Sequence, residues 1–262
     1  MCLILFSYNT HPDYKLVLAA NRDEFYDRPT RPLAFWKDSP NILAGRDLKS
    51  QGTWLGISLT GRIAAITNFR DPLSIIEDAP SRGLVVSHFL SGTQSARQYL
   101  ENIKASGIKY NGFNLLVGDS SGLYYYSNRS DAIEKISPGI YGLSNDLLNT
   151  PWPKVKKGKT LLKDLFDKKD PVSTSDILDM LKDPTQPPDN MLPDTGVSLE
   201  WERMLSPLFI KSDIYGTMSS SLILIKRTGE VTFLEQTHVP LNPELKEPET
   251  LEFKLDLPTL FS

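Results

Sequence analysis

The chain contains a single cysteine, and this cysteine stands at position 2, directly after Met1. Small second residues generally permit removal of the preceding methionine, which would place a thiol and a free α-amine on one residue. An α-amine has a reference pKa of about 7.7 to 8, so it can accept the thiol proton directly or through one water. Cys2 is therefore a candidate nucleophile that carries its own base. The alternative is a small apolar residue at the start of a buried strand.

A charged segment, residues 21–24, follows the apolar run 16–20. Residues 3–8 and 16–20 have strand length and are separated by a turn-rich segment, so we predict a hairpin. A turn centred near Pro12-Asp13 makes paired residue numbers sum to about 25. This register predicts that Cys2 lies opposite Asp23, to within two residues.

Side chains alternate along a strand, which predicts Asn21 and Asp23 on one face and Arg22 on the other. A carboxylate near an α-ammonium would orient that amine, while an adjacent guanidinium would favour a thiolate and hold an anionic oxygen. The alternative is that this charged segment is a solvated loop.

The remaining pattern indicates hairpins separated by pairs of helices. Apolar strand pairs occur at 53–59 with 62–67, 115–117 with 123–126 and 222–225 with 231–234, and 251–257 alternates as an edge strand. Helical patterns cover 84–103, broken near Gly92 and re-entered with Thr93 or Ser95 as N-cap, then 155–166 and 175–181. We expect residues 183–196 to be a surface loop. This order favours an α+β fold with antiparallel sheets and segregated helices.

Composition limits the classes of function. With 262 residues and 40% hydrophobic content, we expect one domain over residues 1–262. A net charge of −3 gives no electrostatic footprint for nucleic acid. We find no apolar run of transmembrane length, no secretory signal and no possible internal disulfide, and we expect a cytoplasmic protein. Dinucleotide, P-loop and zinc motifs are also absent from the sequence.

A set of short motifs resembles the NRDE family, also called the transport and Golgi organisation 2 family. Their order and spacing match from residue 1 to about 240. The motifs are Met1-Cys2-Leu3-Ile4, Ala19-Ala20-Asn21-Arg22-Asp23-Glu24-Phe25, Gly52-Thr53-Trp54-Leu55-Gly56-Ile57, Thr67-Asn68, Asn111-Gly112-Phe113-Asn114-Leu115, Tyr141-Gly142-Leu143-Ser144-Asn145 and Thr150-Pro151-Trp152. The resemblance implies the N-terminal nucleophile (Ntn) hydrolase fold, a four-layer αββα sandwich of two antiparallel sheets between helical layers.

The same resemblance implies roles for particular residues. Cys2 would be the nucleophile, with Arg22 and Asp23 close to it. Asn68 and Asn145 are candidates for contacts with an oxyanion or a substrate amide, and their alternative is an ordinary turn role. Candidate substrate contacts are Asn21, Glu24, Trp54 and Met218. Met218 stands where relatives often carry arginine, so a cation for an anionic substrate is missing at this position.

Two classes of function follow. In the first, the chain hydrolyses a small amide or thioester, with no cofactor required. In the second, a haem, acyl-CoA or lipid carrier reuses the same pocket. Haem as cargo could be ligated by Cys2, His88, His238 or a methionine. Its propionates, or CoA phosphates, could contact Lys154, Lys156, Lys157 and Lys159. The alternatives are that His88 faces the core and that these lysines form a solvated helix face. The oligomeric state stays open.

Overall fold

The computed structural model of the chain describes residues 2–167, 172–238, 249–257 and 260–261. Met1, on which the predicted processing depends, lies outside these ranges. Thirteen strands in the described ranges form two antiparallel sheets. The strands are β1 Cys2–Tyr8, β2 Tyr14–Phe25, β3 Thr30–Trp36, β4 Ser39–Asp47, β5 Leu55–Ser58, β6 Arg62–Asn68, β7 Phe113–Asp119, β8 Gly122–Ser127, β9 Ala132–Lys135, β10 Gly139–Leu143, β11 Tyr215–Lys226, β12 Glu230–Thr237 and β13 Thr250–Asp256.

One sheet has six strands in the order β10-β1-β2-β11-β12-β13, and the other has seven in the order β3-β4-β5-β6-β7-β8-β9. The described α-helices are α1 Arg82–Ser91, α2 Ala96–Ala105, α3 Pro153–Asp167, α4 Thr174–Leu181 and α5 Leu199–Met204. In the part of the chain described, none of them is long and apolar enough to cross a membrane.

Three apolar layers stack these elements. The central layer joins the facing sides of the two sheets and includes Ile4 and Leu18 from one sheet with Leu43 and Ile57 from the other. A second layer packs α1 and α2 on the outer face of the seven-stranded sheet. A third packs α3 and α4 on the outer face of the six-stranded sheet. Each sheet is buried on both faces, which explains its nearly continuous apolar strands and confirms the predicted αββα sandwich.

All four predicted hairpins and the edge strand are present, since they correspond to β1 with β2, β5 with β6, β7 with β8, β11 with β12, and β13. Ser95 caps α2 through a capping box with Gln98, as one of the two predicted caps. The structure adds the pair β3 and β4, the strands β9 and β10, and helix α5, which the sequence pattern did not reveal.

The first hairpin places the candidate residues. Cys2 pairs directly with Arg22, one position from the register expected from the turn, and residues directly opposite on paired strands share a face of the sheet. On the other side, Ile4 pairs with Leu143 of β10, so the Cys2 end of β1 lies next to the segment that follows β10. In β11 the register shifts between Thr217 and Ser219, which makes Met218 the extra residue of a bulge beside Arg22.

Candidate active site

A cavity of about 260 Å³ opens between the two sheets at the Cys2 end of β1. Because Cys2 and Arg22 are paired across strands, both side chains face this cavity rather than the helices of α3 and α4. Trp54 and Asn68 line it from the seven-stranded sheet side, and Glu24 lines it beyond Arg22. The structure therefore brings together the predicted nucleophile, its guanidinium neighbour and three other predicted site residues.

The Cys2 thiol is largely withdrawn from bulk solvent, with the residue 7% exposed. Burial raises the pKa of this thiol to about 11, and the nearby positive charge of Arg22 offsets only part of that rise. The thiol is consequently protonated near neutral pH, so nucleophilic attack needs a base that removes the proton in the course of the reaction.

Asp23 follows Arg22 on β2 and its carboxyl points to the opposite face, as the alternation predicted. Its Oδ1 accepts a hydrogen bond of 2.7 Å from the Thr217 hydroxyl, and its main-chain oxygen accepts one from Tyr215. Burial raises the pKa of Asp23, and the positive charge of Lys154 opposes that rise. Asp23 also contributes to the lining of the cavity. It thus connects the cavity to a buried polar layer beneath the sheet.

Lys154, in the first turn of α3, is 3% exposed, so the prediction that it belongs to a solvated lysine face is wrong. Its Nζ donates to the Leu205 carbonyl at 2.9 Å, and burial lowers its pKa to about 8. Lys154 shares the buried side of α3 with Val155, Gly158 and Leu162, where it faces the six-stranded sheet. The negative charge of Asp23 supports its ionised form.

A buried ion pair extends this polar layer. Arg70 donates to Glu202 of α5 at 2.8 Å, with the two side chains only 6% and 4% exposed. Glu202 also accepts hydrogen bonds from the main chain and hydroxyl of Thr195. The Arg70 guanidinium lies over the Trp152 ring, 4.9 Å from its centroid. Helix α5 is in this way held against the loop that follows β6.

Glu235 of β12 lies in the cavity wall and is 4% exposed. One carboxyl oxygen accepts from the main-chain N–H of Leu33 in β3 at 2.8 Å, and the other accepts from Ser219 at 3.4 Å. Burial raises the pKa of Glu235 to about 7, against the hydrogen bond from Leu33 and the charge of Arg22. A titratable carboxyl therefore links the two sheets beside the predicted nucleophile.

The two predicted asparagines have different environments. Asn145 is fully buried, and its side chain donates to the Asn68 carbonyl at 2.9 Å, while its own carbonyl accepts from the Arg70 main chain. The Asn68 side chain lines the cavity and makes no hydrogen bond within the described ranges. Asn68 is thus placed to donate to a ligand, whereas Asn145 holds the Asn68 main chain in position.

Asn21 and Met218 lie outside the cavity lining. The Asn21 amide donates to the carbonyls of Leu181 and Leu208, which joins the sheet to the segments packed on it, and it accepts from the hydroxyl of Ser220 on the neighbouring strand β11. Met218 is fully buried, and its sulfur accepts from Arg22 Nη1 at 3.1 Å. Met218 therefore acts on the cavity through Arg22, which it helps to orient.

The two histidines predicted as haem ligands lie outside the lining of the cavity that contains Cys2. His88 is exposed on α1, so the prediction that it faces the core is wrong. The buried positions of α1 centre on Val85, Val86 and Phe89, and His88 points away from that stripe. His238 Nε2 is hydrogen-bonded to Ser220, and burial lowers its pKa to about 4. Lys156 is exposed and Lys159 donates to Asn149.

The start of α1 forms the opposite wall of the cavity. Here the main chain of Gly52 crosses that of Gly83, and a Cβ on Gly52 would lie 2.4 Å from the carbonyl carbon of Gly83. Only glycine permits this crossing, which explains the glycine of the Gly52-Thr53-Trp54 motif. The crossing fixes Arg82, the first residue of α1, in the cavity wall.

Sequence reasoning missed two charged residues of the cavity lining, Arg82 and Glu235, and did not place Lys154 in the interior. Each carried a signal. Glu235 follows Val231 and Phe233 at the inward positions of β12, so it is a charge on an apolar face. Lys154 is spaced by four and eight residues from the buried Gly158 and Leu162. Arg82 begins a helix directly after a Pro-Ser pair.

The family model described as "Transport and Golgi organisation 2" matches residues 1–240. The mouse "Transport and Golgi organization 2 homolog" is 35% identical over 275 aligned positions, covering 97% of this chain and 99% of that protein. The corresponding Drosophila melanogaster protein is 28% identical, with 93% and 94% covered.

Among solved structures, a Caenorhabditis elegans N-acylethanolamine-hydrolyzing acid amidase ortholog matches 85% of this chain and 92% of its own, with a TM-score of 0.50 and 10% identity. Penicillin V acylase from Agrobacterium tumefaciens matches at a TM-score of 0.47 with 9% identity, covering 96% of this chain and 91% of that one. At such identities the likeness concerns the fold, which is the Ntn-hydrolase fold.

Proposed function

Since the chain belongs to the transport and Golgi organisation 2 family and has the Ntn-hydrolase fold, we propose that it is an N-terminal cysteine hydrolase of a small amide or thioester. The observation that carries the proposal is the direct pairing of Cys2 with Arg22 at the mouth of the first hairpin, with both side chains in the cavity between the sheets. The proposal includes removal of Met1, which would put an α-amine on Cys2.

The chemistry follows from the groups in the cavity. The Cys2 sulfur attacks the substrate carbonyl carbon and forms a C–S bond, while the thiol proton passes to the Cys2 amine. The amine returns that proton to the leaving amine or thiol, whose bond to the carbonyl carbon then breaks. Water attacks the acyl-enzyme, releases the carboxylic acid and restores the thiol. In the chain that retains Met1, burial raises the pKa of the thiol to about 11; after processing, the amine of Cys2 itself would take the thiol proton in the course of the attack.

Neighbouring groups support individual steps. Arg22 lies beside the sulfur and stabilises negative charge there, and Asp23 orients the amine from the other side of β2. The Asn68 side-chain amide is the candidate donor to the oxyanion, and loss of one such donor lowers kcat by roughly 10²- to 10³-fold. Asn68→Ala should produce that loss with little change in thermal unfolding, since the Asn68 side chain makes no hydrogen bond to other described residues.

The test uses two probes, an N-acyl aminocoumarin amide and an acyl thioester, with intact mass to establish whether Met1 is removed. We expect Cys2→Ala to abolish hydrolysis of the susceptible probe. A chain with one extra residue retained before Cys2 is the matched control, because it keeps the thiol and blocks the amine. Hydrolysis that survives either change, or a protein that retains Met1 and still turns over, would refute the proposal.

A second candidate is a non-catalytic carrier of haem or of an acyl-CoA or lipid ligand. The observation that favours it is the raised pKa of the Cys2 thiol, which leaves little nucleophilic thiolate at neutral pH; the same rise weakens Cys2 as a haem ligand, because iron binds the thiolate. If the protein carries haem, titration with haemin should give a saturable, stoichiometric Soret shift, and comparison with Cys2→Ala shows whether the sulfur is a ligand. A broad, non-saturating shift that is the same in both proteins would exclude Cys2 as a haem ligand.

A further inference from the structure

Arg82 stands in the cavity wall and has no ion-pair partner among the described residues. Within the ranges described, no carboxylate lies within 4.0 Å of its guanidinium, and its one hydrogen bond runs from Nη1 to the Gly112 carbonyl at 2.8 Å. The other guanidinium N–H groups make no hydrogen bond to the described chain. Burial lowers the pKa of Arg82, yet an arginine stays charged, so the cavity contains an incompletely compensated positive charge.

Two other arginines of the cavity lining, unlike Arg82, form ion pairs. Arg28 is paired with Asp47 at 2.8 Å, and Arg46 is paired with Asp38 at 2.6 Å. The charge of each is therefore neutralised by an adjacent carboxylate. Arg82 resembles neither of them, because its hydrogen bond goes to a neutral carbonyl.

A second arginine without an ion-pair partner among the described residues, Arg22, forms part of the floor of the cavity. Arg22 is 7% exposed, and its only described hydrogen bond goes to the sulfur of Met218, a weak acceptor. Arg22 and Arg82 thus line one cavity from the β2 floor and the α1 wall, with Cys2 also in the lining. Asp23 and Glu235 act on Arg22 through space, and Glu24 acts on Arg82, but neither guanidinium has a hydrogen-bonded anion among the described residues; a bound anion would supply one.

Glu24 is the acidic group that faces Arg82 within the lining, and its charge favours the charged form of Arg82. Its Oε1 instead accepts a hydrogen bond from the main chain of Phe25. A ligand anion can therefore approach the Arg82 fork without displacing an existing ion pair, and a planar guanidinium suits a carboxylate or phosphate held by two hydrogen bonds.

We propose that the substrates of this cavity are acyl compounds that carry an anionic group, and that Arg82 binds this group while Arg22 lies beside the carbon attacked by Cys2. The inference rests on the proposed hydrolase function and deepens it by naming the substrate class. Met218 of β11 supplies no positive charge for an anionic substrate. In this proposal, the cation that recognises the substrate is Arg82 of α1.

Alkylation of Cys2 tests anion recognition without any need for turnover. Iodoacetate and iodoacetamide have the same reaction, in which the thiolate forms a bond to the methylene carbon and iodide leaves with the electron pair, but only iodoacetate is anionic. Rates are measured at pH 9 by intact mass, and the ratio of the iodoacetate rate to the iodoacetamide rate is compared with that of N-acetylcysteine. We expect this ratio to be at least tenfold higher at Cys2.

The variants Arg82→Gln and Arg82→Lys separate charge from packing. Arg82→Gln should lower the ratio about tenfold, chiefly through the iodoacetate rate, since the lost charge acts on the Cys2 thiolate equally for both reagents. Arg82→Lys should retain most of the selectivity. Arg97→Gln, which removes an exposed arginine of α2 paired with Glu101, is the matched control and should change nothing. A ratio that is insensitive to Arg82→Gln, or an equal fall in both rates, would overturn the inference.

Hydrolysis assays distinguish this inference from the proposed function. The pair of probes is p-nitrophenyl acetate and the mono-p-nitrophenyl ester of glutaric acid, which differ by a carboxylate. If Cys2-dependent hydrolysis shows no preference for the glutarate ester, the hydrolase proposal stands and the anion site fails. If neither ester is hydrolysed but iodoacetate selectivity depends on Arg82, the anion site stands and the hydrolase proposal fails.

Discussion

Replacement of Glu235 by glutamine should remove a pH dependence of stability. Burial raises the pKa of this carboxyl from 4.5 to about 7, so the folded protein holds the proton more tightly than the unfolded chain. Its contribution to the free energy of unfolding is fully present below pH 4.5 and is lost as the pH rises to about 7. At about 1.4 kcal/mol for each pH unit, the loss is about 3 kcal/mol.

Glutamine reproduces the neutral acid. Its Oε1 keeps the hydrogen bond from Leu33, and its Nε2 can donate to the Ser219 hydroxyl, which reverses the direction of the present bond. The Glu235→Gln protein should therefore resemble the wild type near pH 4.5 and be more stable above pH 7, where the wild type carries a buried negative charge.

The assay is urea denaturation followed by tryptophan fluorescence at half-unit pH intervals from 4.5 to 8.5. We expect the difference in the free energy of unfolding between Glu235→Gln and wild type to grow by about 3 kcal/mol across this interval. Glu134→Gln makes the same chemical change at an exposed residue of β9 and is the control. Parallel pH profiles for Glu235→Gln and wild type would refute the reasoning.

Three further substitutions test the packing around the site by chemical denaturation. Gly52→Ala should cost roughly 1 to 3 kcal/mol, since its Cβ would meet the Gly83 main chain at 2.4 Å, and an unchanged midpoint would contradict this steric account. Asn21→Ala should cost about 3 kcal/mol because it leaves two buried carbonyls without their donor and removes one of the two hydrogen bonds of the Ser220 hydroxyl; a loss below 1 kcal/mol would indicate that water replaces the amide. Glu202→Gln should cost about 3 kcal/mol or more because it strands the buried charge of Arg70, whereas Glu101→Gln in the exposed pair with Arg97 should cost less than 1 kcal/mol, and equal losses would refute the distinction.

Local sequence pattern was sufficient for most of the fold. Hairpins with a short turn and two apolar strands, such as 222–225 with 231–234, are local, and the tight turn nearly fixed the register that brings Cys2 opposite Arg22. The helix pair α1 and α2 was likewise marked by a break and a capping serine.

Strands that depend on distant partners were missed. β10 has five residues, and its partner β1 is more than 130 positions earlier in the chain, so no local periodicity marks it. β3 and β4 pair with two irregularities in register, which interrupts the alternation that identifies a hairpin.

The candidate site was predicted where it lies on one hairpin and missed where separate layers meet. Cys2, Arg22 and Asp23 follow from the first two strands. Lys154 was assigned to solvent because three lysines that follow it suggested a charged face. Only the packing of α3 on the sheet shows that the Lys154 side chain is buried. Glu235 and Arg82 reach the cavity from β12 and α1, and no local spacing connects them with Cys2.

The two sheets are tied together on both sides of the cavity. On one side, Asn145 donates to the Asn68 carbonyl; on the other, Glu235 accepts from the Leu33 main chain. Separation of the two layers would break these bonds, so we expect the width of the cavity to change little. A ligand would then have to fit the existing width of the cavity. The amide proton of Leu33 should be among the slowest to exchange with deuterium.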